Sequence, residues 1–105
     1  MSQVAAKSFT VLSAITAAAA STPIHTGGRT KATWGYVTTG SPTGVSVQFE
    51  FSHNNSNWEV FGEALTGTSS GAGAGTGDYP YVRLNCTTLS GGSSPTLTGI
   101  IYLSG

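Results

Sequence analysis

Val45-Ser46-Val47-Gln48-Phe49-Glu50-Phe51-Ser52 alternates large apolar with polar residues without a break. Successive side chains of a strand point to opposite faces, so this segment predicts a strand with one apolar and one wetted side. It runs through His53-Asn54-Asn55-Ser56-Asn57 into Trp58-Glu59-Val60-Phe61, where apolar residues resume. Asn and Ser tolerate the partly left-handed backbone of a tight turn, so the reading is a β-hairpin of Val45–Ser52 and Trp58–Leu65 with a polar tip. Gly62 marks a bulge or strand end within it. Trp58 is expected to staple the hairpin onto the core, with Glu50 and Glu59 solvated on its polar side.

The flanking chain extends the pattern. Ser8–Ile15 reads as a first strand, followed by a small-residue connector ending at Pro23. Thr30–Thr39 carries Ala32, Trp34, Tyr36 and Thr38 on one phase and Thr33, Gly35 and Val37 on the other. Another strand starts at or after Pro80, which cannot donate to a ladder, and runs to Thr87. Thr96–Ser104 closes the chain, with Leu97, Gly99, Ile101 and Leu103 facing one way and Ile100 and Tyr102 the other. Apolar residues on both phases imply a core on one side and a neighbour on the other. Gly40–Gly44 and Leu89–Pro95 are turns, and the Gly/Ser-rich stretch Gly67–Gly77 predicts a flexible loop. Ala14–Ala20 is the only helical candidate, at roughly two turns. Lys7 and the residues after it have the outline of a weak signal peptide, but Thr and Ser interrupt the apolar run and favour a strand. The fold class is all-β, a small antiparallel sandwich or jelly roll of six or seven strands. Residues 1–25 form an N-terminal strand, arm and connector, and residues 26–105 the single sandwich domain.

Composition narrows the function. The chain has 105 residues, enough for one core, and only 8% of them are charged. Four basic residues balance four acidic ones. No basic face can form for nucleic acid, and no run approaches the roughly 18 apolar residues of a membrane helix. Low charge removes the self-repulsion that keeps proteins apart and points to life in an assembly. Cys86 shares its phase with Val82 and Leu84, so it is expected to be a small buried hydrophobe.

No residue pattern calls for catalysis, a metal or another cofactor. The acids are Glu50, Glu59, Glu63 and Asp78 and the histidines His25 and His53, without metal-ligand spacing. No nucleophile elbow occurs, and the glycine-rich stretch lacks the Lys and following helix of a phosphate cradle. Aromatic side chains are the remaining functional candidates. Tyr79 and Tyr81, beside the expected loop, are the best placed for exposed contacts.

Two stretches carry a resemblance. Ser52-His53-Asn54-Asn55-Ser56-Asn57-Trp58 resembles a hairpin of small β-rich virion proteins of tailed bacteriophages. Tyr79-Pro80-Tyr81-Val82-Arg83-Leu84-Asn85, with the later Leu89-Ser90-Gly91-Gly92-Ser93-Ser94-Pro95-Thr96-Leu97-Thr98, resembles the strand, turn and closing strand of the same proteins. The likeness covers roughly residues 45–105. It implies a non-enzymatic capsid decoration (cement) protein, made in the host cytoplasm and bound to the virion surface. Its partners would be the major capsid protein or other virion proteins and copies of itself, in a trimer by analogy with threefold shell sites. Residues 1–25 would reach onto a neighbour. The contact residues expected on this reading are Phe9, Val11, Arg29, Lys31, Tyr79, Tyr81, Arg83, Ile100 and Tyr102, with the basic side chains pairing with acidic groups. Two alternatives stand beside it. One is a carbohydrate-binding or adhesive tail module that stacks glycans on Tyr79, Tyr81 and Trp34; the other is a self-assembling coat or tube subunit.

Overall fold

Among the described residues, alternation resolves into nine strands: β1 (Lys7–Ile15), β2 (Ala19–Ala20), β3 (Ile24–His25), β4 (Lys31–Thr39), β5 (Gly44–Ser52), β6 (Glu59–Leu65), β7 (Ser70–Thr76), β8 (Tyr81–Ser90) and β9 (Thr96–Ser104). The structure is a computed structural model that describes residues 5–105; the first four residues of the expected N-terminal arm lie outside the described residues. The strands build two antiparallel sheets. The first has the order β1-β9-β4-β7 and the second β2-β8-β5-β6, with β3 also pairing β8. The sandwich expected from the alternation is the fold observed.

The β5–β6 hairpin pairs Phe49 with Phe61 and Phe51 with Glu59. At its tip Asn55 adopts a left-handed φ of 60°. The Asn54 Oδ1 accepts the backbone N–H groups of Ser56 and Asn57 at 3.0 and 2.9 Å, which satisfies the turn locally. The register then slips between Val47 and Phe49, opposite Gly62 at φ 74°, which forms the expected bulge.

Between the sheets lie Leu12, Trp34, Tyr36, Leu97, Ile101 and Leu103 from the first, and Val45, Val47, Phe49, Val82, Leu84 and Cys86 from the second. Burying each of the larger side chains is worth about 1.5–3 kcal/mol. Trp34 stacks flat on Phe49 across the gap, with ring centroids 3.9 Å apart, and Phe61 stands edge-on to both.

The segment expected to be a flexible glycine loop is instead strand β7, paired to β4 from Lys31↔Thr76 to Val37↔Ser70. Its glycines are the reason. Tyr36 faces Gly71 and Trp34 faces Gly73, and each ring occupies the space of its partner's missing side chain. A Cβ at Gly71 would stand 2.7 Å from Tyr36 Cε1, and one at Gly73 2.6 Å from Trp34 Nε1. Phe61, from the opposite sheet, fills the corresponding space at Gly75. Tyr36 also donates its hydroxyl to the carbonyl of Gly67 at 2.6 Å, pinning the approach to the strand.

Two further boundaries differ from expectation. β8 continues to Ser90, where Leu89 pairs with Val45, so the last turn begins only after Ser90. A register shift between Ser46 and Val47 leaves Thr87 as an extra residue on β8 and moves the inward phase from Cys86 to Leu89. That change of phase imitates a strand end in the sequence. Trp58 is not part of the core cluster, because it precedes β6 and lies beneath the Arg83 guanidinium, 4.3 Å from its ring centroid. From Lys7 onward the N-terminal segment runs along its own sandwich: β1 is the edge of the first sheet, Leu12 is buried, and β2 and β3 pair with β8.

Candidate functional site

The inward phase of the first sheet fixes what its outer face must carry. Because Leu97, Gly99, Ile101 and Leu103 of β9 point inward, Thr98, Ile100 and Tyr102 point out. Register then sets Tyr102 beside Ser8 on β1 and Thr33 on β4, and Thr33 beside Ala74 on β7. The next row is Thr10, Ile100, Gly35 and Ala72, and the row after it Thr98, Val37 and Ser70. Val37 is 59% exposed, Tyr102 44% and Ile100 42%. The only charged side chain among these rows and their continuation is Lys31, at the rim beside Ser104 and Thr76. Two shallow depressions lie along the β4–β7 side of β9, one beside Ile100 over Gly35 and Ala72 and the other beside Tyr102 over Thr33 and Ala74. Away from Lys31 the face is uncharged, with apolar side chains and hydroxyls interspersed.

The outer face of the second sheet is its opposite. Glu50, only 7% exposed, accepts from Arg83 Nε at 2.8 Å and from Asn85 Nδ2 at 3.2 Å. Arg83 lies over Trp58, so its cation is held by a carboxylate and an aromatic face together. Glu50 is thus a buried ion-pair partner, not the solvated carboxylate expected from the alternation. Arg83 and Asn85 on the neighbouring strand cover it. Its strand partner on β6 is Val60, while Glu59 pairs with Phe51 on the opposite face of the sheet, so the two acids do not face each other.

This sandwich is shared with a prophage protein. The SPBc2 prophage-derived protein YomS superposes with a TM-score of 0.69 at 16% identity, over 96% of this chain and 94% of that one. No family model and no curated protein matches the sequence. The likeness to YomS is one of fold, and it takes in both sheets nearly end to end.

Against that frame of two faces, the nine contact residues expected from the sequence separate. Lys31, Ile100 and Tyr102 share the outer face of the first sheet. Phe9 and Val11 are half-buried against the core, Val11 at the register shift in β1. Arg29 is tied inward: its Nε donates to Ala5 O at 2.7 Å and its Nη1 to Thr26 O at 3.1 Å. Arg83 belongs to the Glu50 network. Tyr79 stacks on Phe51 with centroids 4.0 Å apart, and Tyr81 meets His25 edge-on at 5.1 Å. Trp34, a stacking platform on the glycan reading, is buried. The outer face also includes Val37, Ala72 and Ala74. Val37 was legible on the wetted phase of its strand, and the two alanines in the period-two Gly-Ala-Gly-Ala-Gly run.

Two interior groups have shifted proton affinities. Burial pushes the Tyr36 hydroxyl up, reinforced by Cys86 and opposed by the hydrogen bond to Gly67. Burial likewise pushes up the Cys86 thiol, against hydrogen bonds to the backbone of Thr88 and Ala19. Both shifts hold these groups neutral in the core. The cavity lined by Phe49, Phe61, Gly75 and Tyr79 measures about 10 Å³, room for about one water.

Proposed function

We propose that this chain is a non-enzymatic structural protein of a tailed-phage particle. It decorates the capsid by laying the outer face of its first sheet on the shell. One observation carries the reading: Val37, Ile100 and Tyr102 stand exposed on a sheet face whose other members are small, with Lys31 its one charge, at the rim. Scattered exposed apolar residues are ordinary on a soluble protein, but a contiguous flat patch of them marks a contact surface. Scarce charge removes the desolvation cost of covering that patch. The fold likeness to a prophage-derived protein and the resemblance of residues 45–105 to virion proteins support the same reading.

Size argues for more than one contact. Four strands about 4.8 Å apart and nine residues of about 3.3 Å each give the face a plan area of about 570 Å². A standard interface buries about 800 Å² per partner. Decoration through this face would therefore draw on contacts between neighbouring copies as well. The glycan reading is less well supported, because Trp34 is buried and Tyr79 is engaged by Phe51, leaving Tyr81 by itself.

Quantitative mass spectrometry of purified virions tests the proposal. Hundreds of copies per particle, lost when Ile100 and Tyr102 are both changed to Lys in a protein that still folds, is the expected result. A handful of copies, or none, would overturn it and favour a tail module.

A further inference from the structure

The sheet edges of this sandwich are not alike. β1 is interrupted by register shifts at Thr10/Leu12 and Leu12/Ile15, with Ala14 at a left-handed φ of 47°. β2 and β3 are two residues each. β6 carries Glu59, Glu63 and the Gly62 bulge. Short strands, bulges and charges are the devices that keep foreign strands from pairing with an edge. β7 has none of them. Its seven residues keep an unbroken register with β4 and include no charge and no proline.

The hydrogen bonds at the ends of β7 show which backbone groups are open. Thr38 N–H donates to Ser69 O at 3.0 Å, and Gly77 N–H donates to Thr30 O at 2.8 Å. Both pairs lie on the β4–β7 register, so the odd-numbered residues Gly71, Gly73 and Gly75 bond to β4. Ala72, Ala74 and Thr76 therefore direct their N–H and C=O groups at the open edge, and Ser70 directs its N–H there, with its C=O approached by Gly67 of the preceding turn.

The sequence of that edge is nearly the same in both directions: Ser70-Gly71-Ala72-Gly73-Ala74-Gly75-Thr76. We propose that β7 pairs antiparallel with β7 of a second copy of this chain, about a twofold axis at Gly73. The two first sheets then form one continuous sheet. In this register Ala72 meets the second copy's Ala74, and Ser70 meets its Thr76. These facing pairs are the ones with open backbone groups, so they exchange about six main-chain hydrogen bonds, two for each Ala72–Ala74 pair and one for each Ser70–Thr76 pair, where Gly67 covers the Ser70 carbonyl. Gly73 meets its own symmetry mate in a non-hydrogen-bonded position, where Cα atoms approach to about 4.5 Å. A twofold contact requires a surface complementary to itself, and the near-palindrome supplies one. The outer apolar face runs unbroken across such a junction, through Ala72 and Ala74.

The pairing concerns the isolated chain, so it stands or falls independently of a virion role. Sedimentation equilibrium of the full chain, with amide exchange read residue by residue, tests it. A dimer whose amides at Ser70, Ala72 and Ala74 are protected is expected. A72K/A74K sets Lys against Lys twice across the axis and is expected to raise the dimer Kd at least about tenfold. A72K/A74E sets Lys against Glu twice and retains the dimer. A74P removes an outward N–H while leaving the bonds to β4, and gives a monomer with unchanged core exchange. If A74P fails to fold, the two charge variants decide the matter. A chain that stays monomeric to about 100 µM overturns the proposal. So does a dimer that survives A72K/A74K, which would point to the outer face or to another edge. Equal loss in both charge variants overturns the register.

Discussion

The two sheets face the same core but are finished differently on the outside. The second sheet closes its own account of polar groups: Glu50 is bonded to Arg83 and Asn85, and Arg83 rests on Trp58. The first sheet presents Thr, Ala, Gly, Val37, Ile100 and Tyr102, with Lys31 at the rim. They differ inside as well. At the β7 margin the first sheet contributes glycine backbone where the second contributes the Phe61 ring. The lesson is that the second sheet satisfies its outward charges within the chain, with Val60 its one large exposed apolar side chain, whereas the first leaves Val37, Ile100 and Tyr102 exposed together.

The contrast can be broken first at β7. Gly73→Ala places a methyl against the Trp34 ring and is expected to cost about 2–3 kcal/mol, read as a lower urea midpoint with an unchanged slope. Ala72→Ser, one residue away on the outer face, should stay within about 0.5 kcal/mol. Equal effects would mean that the inner and outer sides of β7 are not distinct. A smaller effect is expected from the charge network. Arg83→Ala leaves Glu50 enclosed with one partner gone and should cost about 2 kcal/mol, whereas Glu50→Gln leaves the better-solvated Arg83 and should cost about 1 kcal/mol. The reverse order would mean that Glu50 is the better solvated of the two.

The smallest effect lies at the seam, where Tyr36 of the first sheet and Cys86 of the second meet. Both groups have raised affinity for their protons when folded. The folded chain therefore keeps protons that the unfolded chain releases, and their stabilising contribution is whole below the ordinary thiol value of 9.0 and declines above it. Thermal unfolding measured from pH 7 to 10.5 should show a falling Tm above about pH 9, with the earlier part of the decline removed in Cys86→Ala. A Tm that rises with pH over that range would reverse the sign of both shifts.

The strands that form the core were legible because their alternation survives unbroken. Val45–Ser52 names its inward face in the sequence, Cys86 follows the phase of Val82 and Leu84, and Thr96–Ser104 shows a strand whose two phases are both apolar. β7 was not legible from composition, since Gly and Ser read as flexibility when counted. Only the period-two order of Gly and Ala, set against Trp34 and Tyr36 in the register pairs Trp34↔Gly73 and Tyr36↔Gly71, identifies it as a strand. The end of β8 was hidden by one extra residue, Thr87, which reverses the phase. Glu50 was misread because alternation reports which face a side chain is on, and not what covers that face. The candidate surface was legible in part: the double apolar phase of β9 identifies Ile100 and Tyr102, while Ala72 and Ala74 depend on knowing where β7 lies.

The pairing of Lys7 with Leu103 carries a practical consequence. The first strand and the last lie side by side, so the two ends of the described chain emerge from the same pole of the sandwich. Domains whose ends lie close together tolerate circular permutation. A short linker from Gly105 back to the start, with new termini opened at the solvent-exposed Asn54–Asn57 tip, would keep every strand in its present place. That tip leaves the same pole, because Ser52 pairs with Tyr81 just after the β7 end that pairs with Lys31, itself beside Ser104, so cargo fused there would leave the same end of the scaffold from its other sheet.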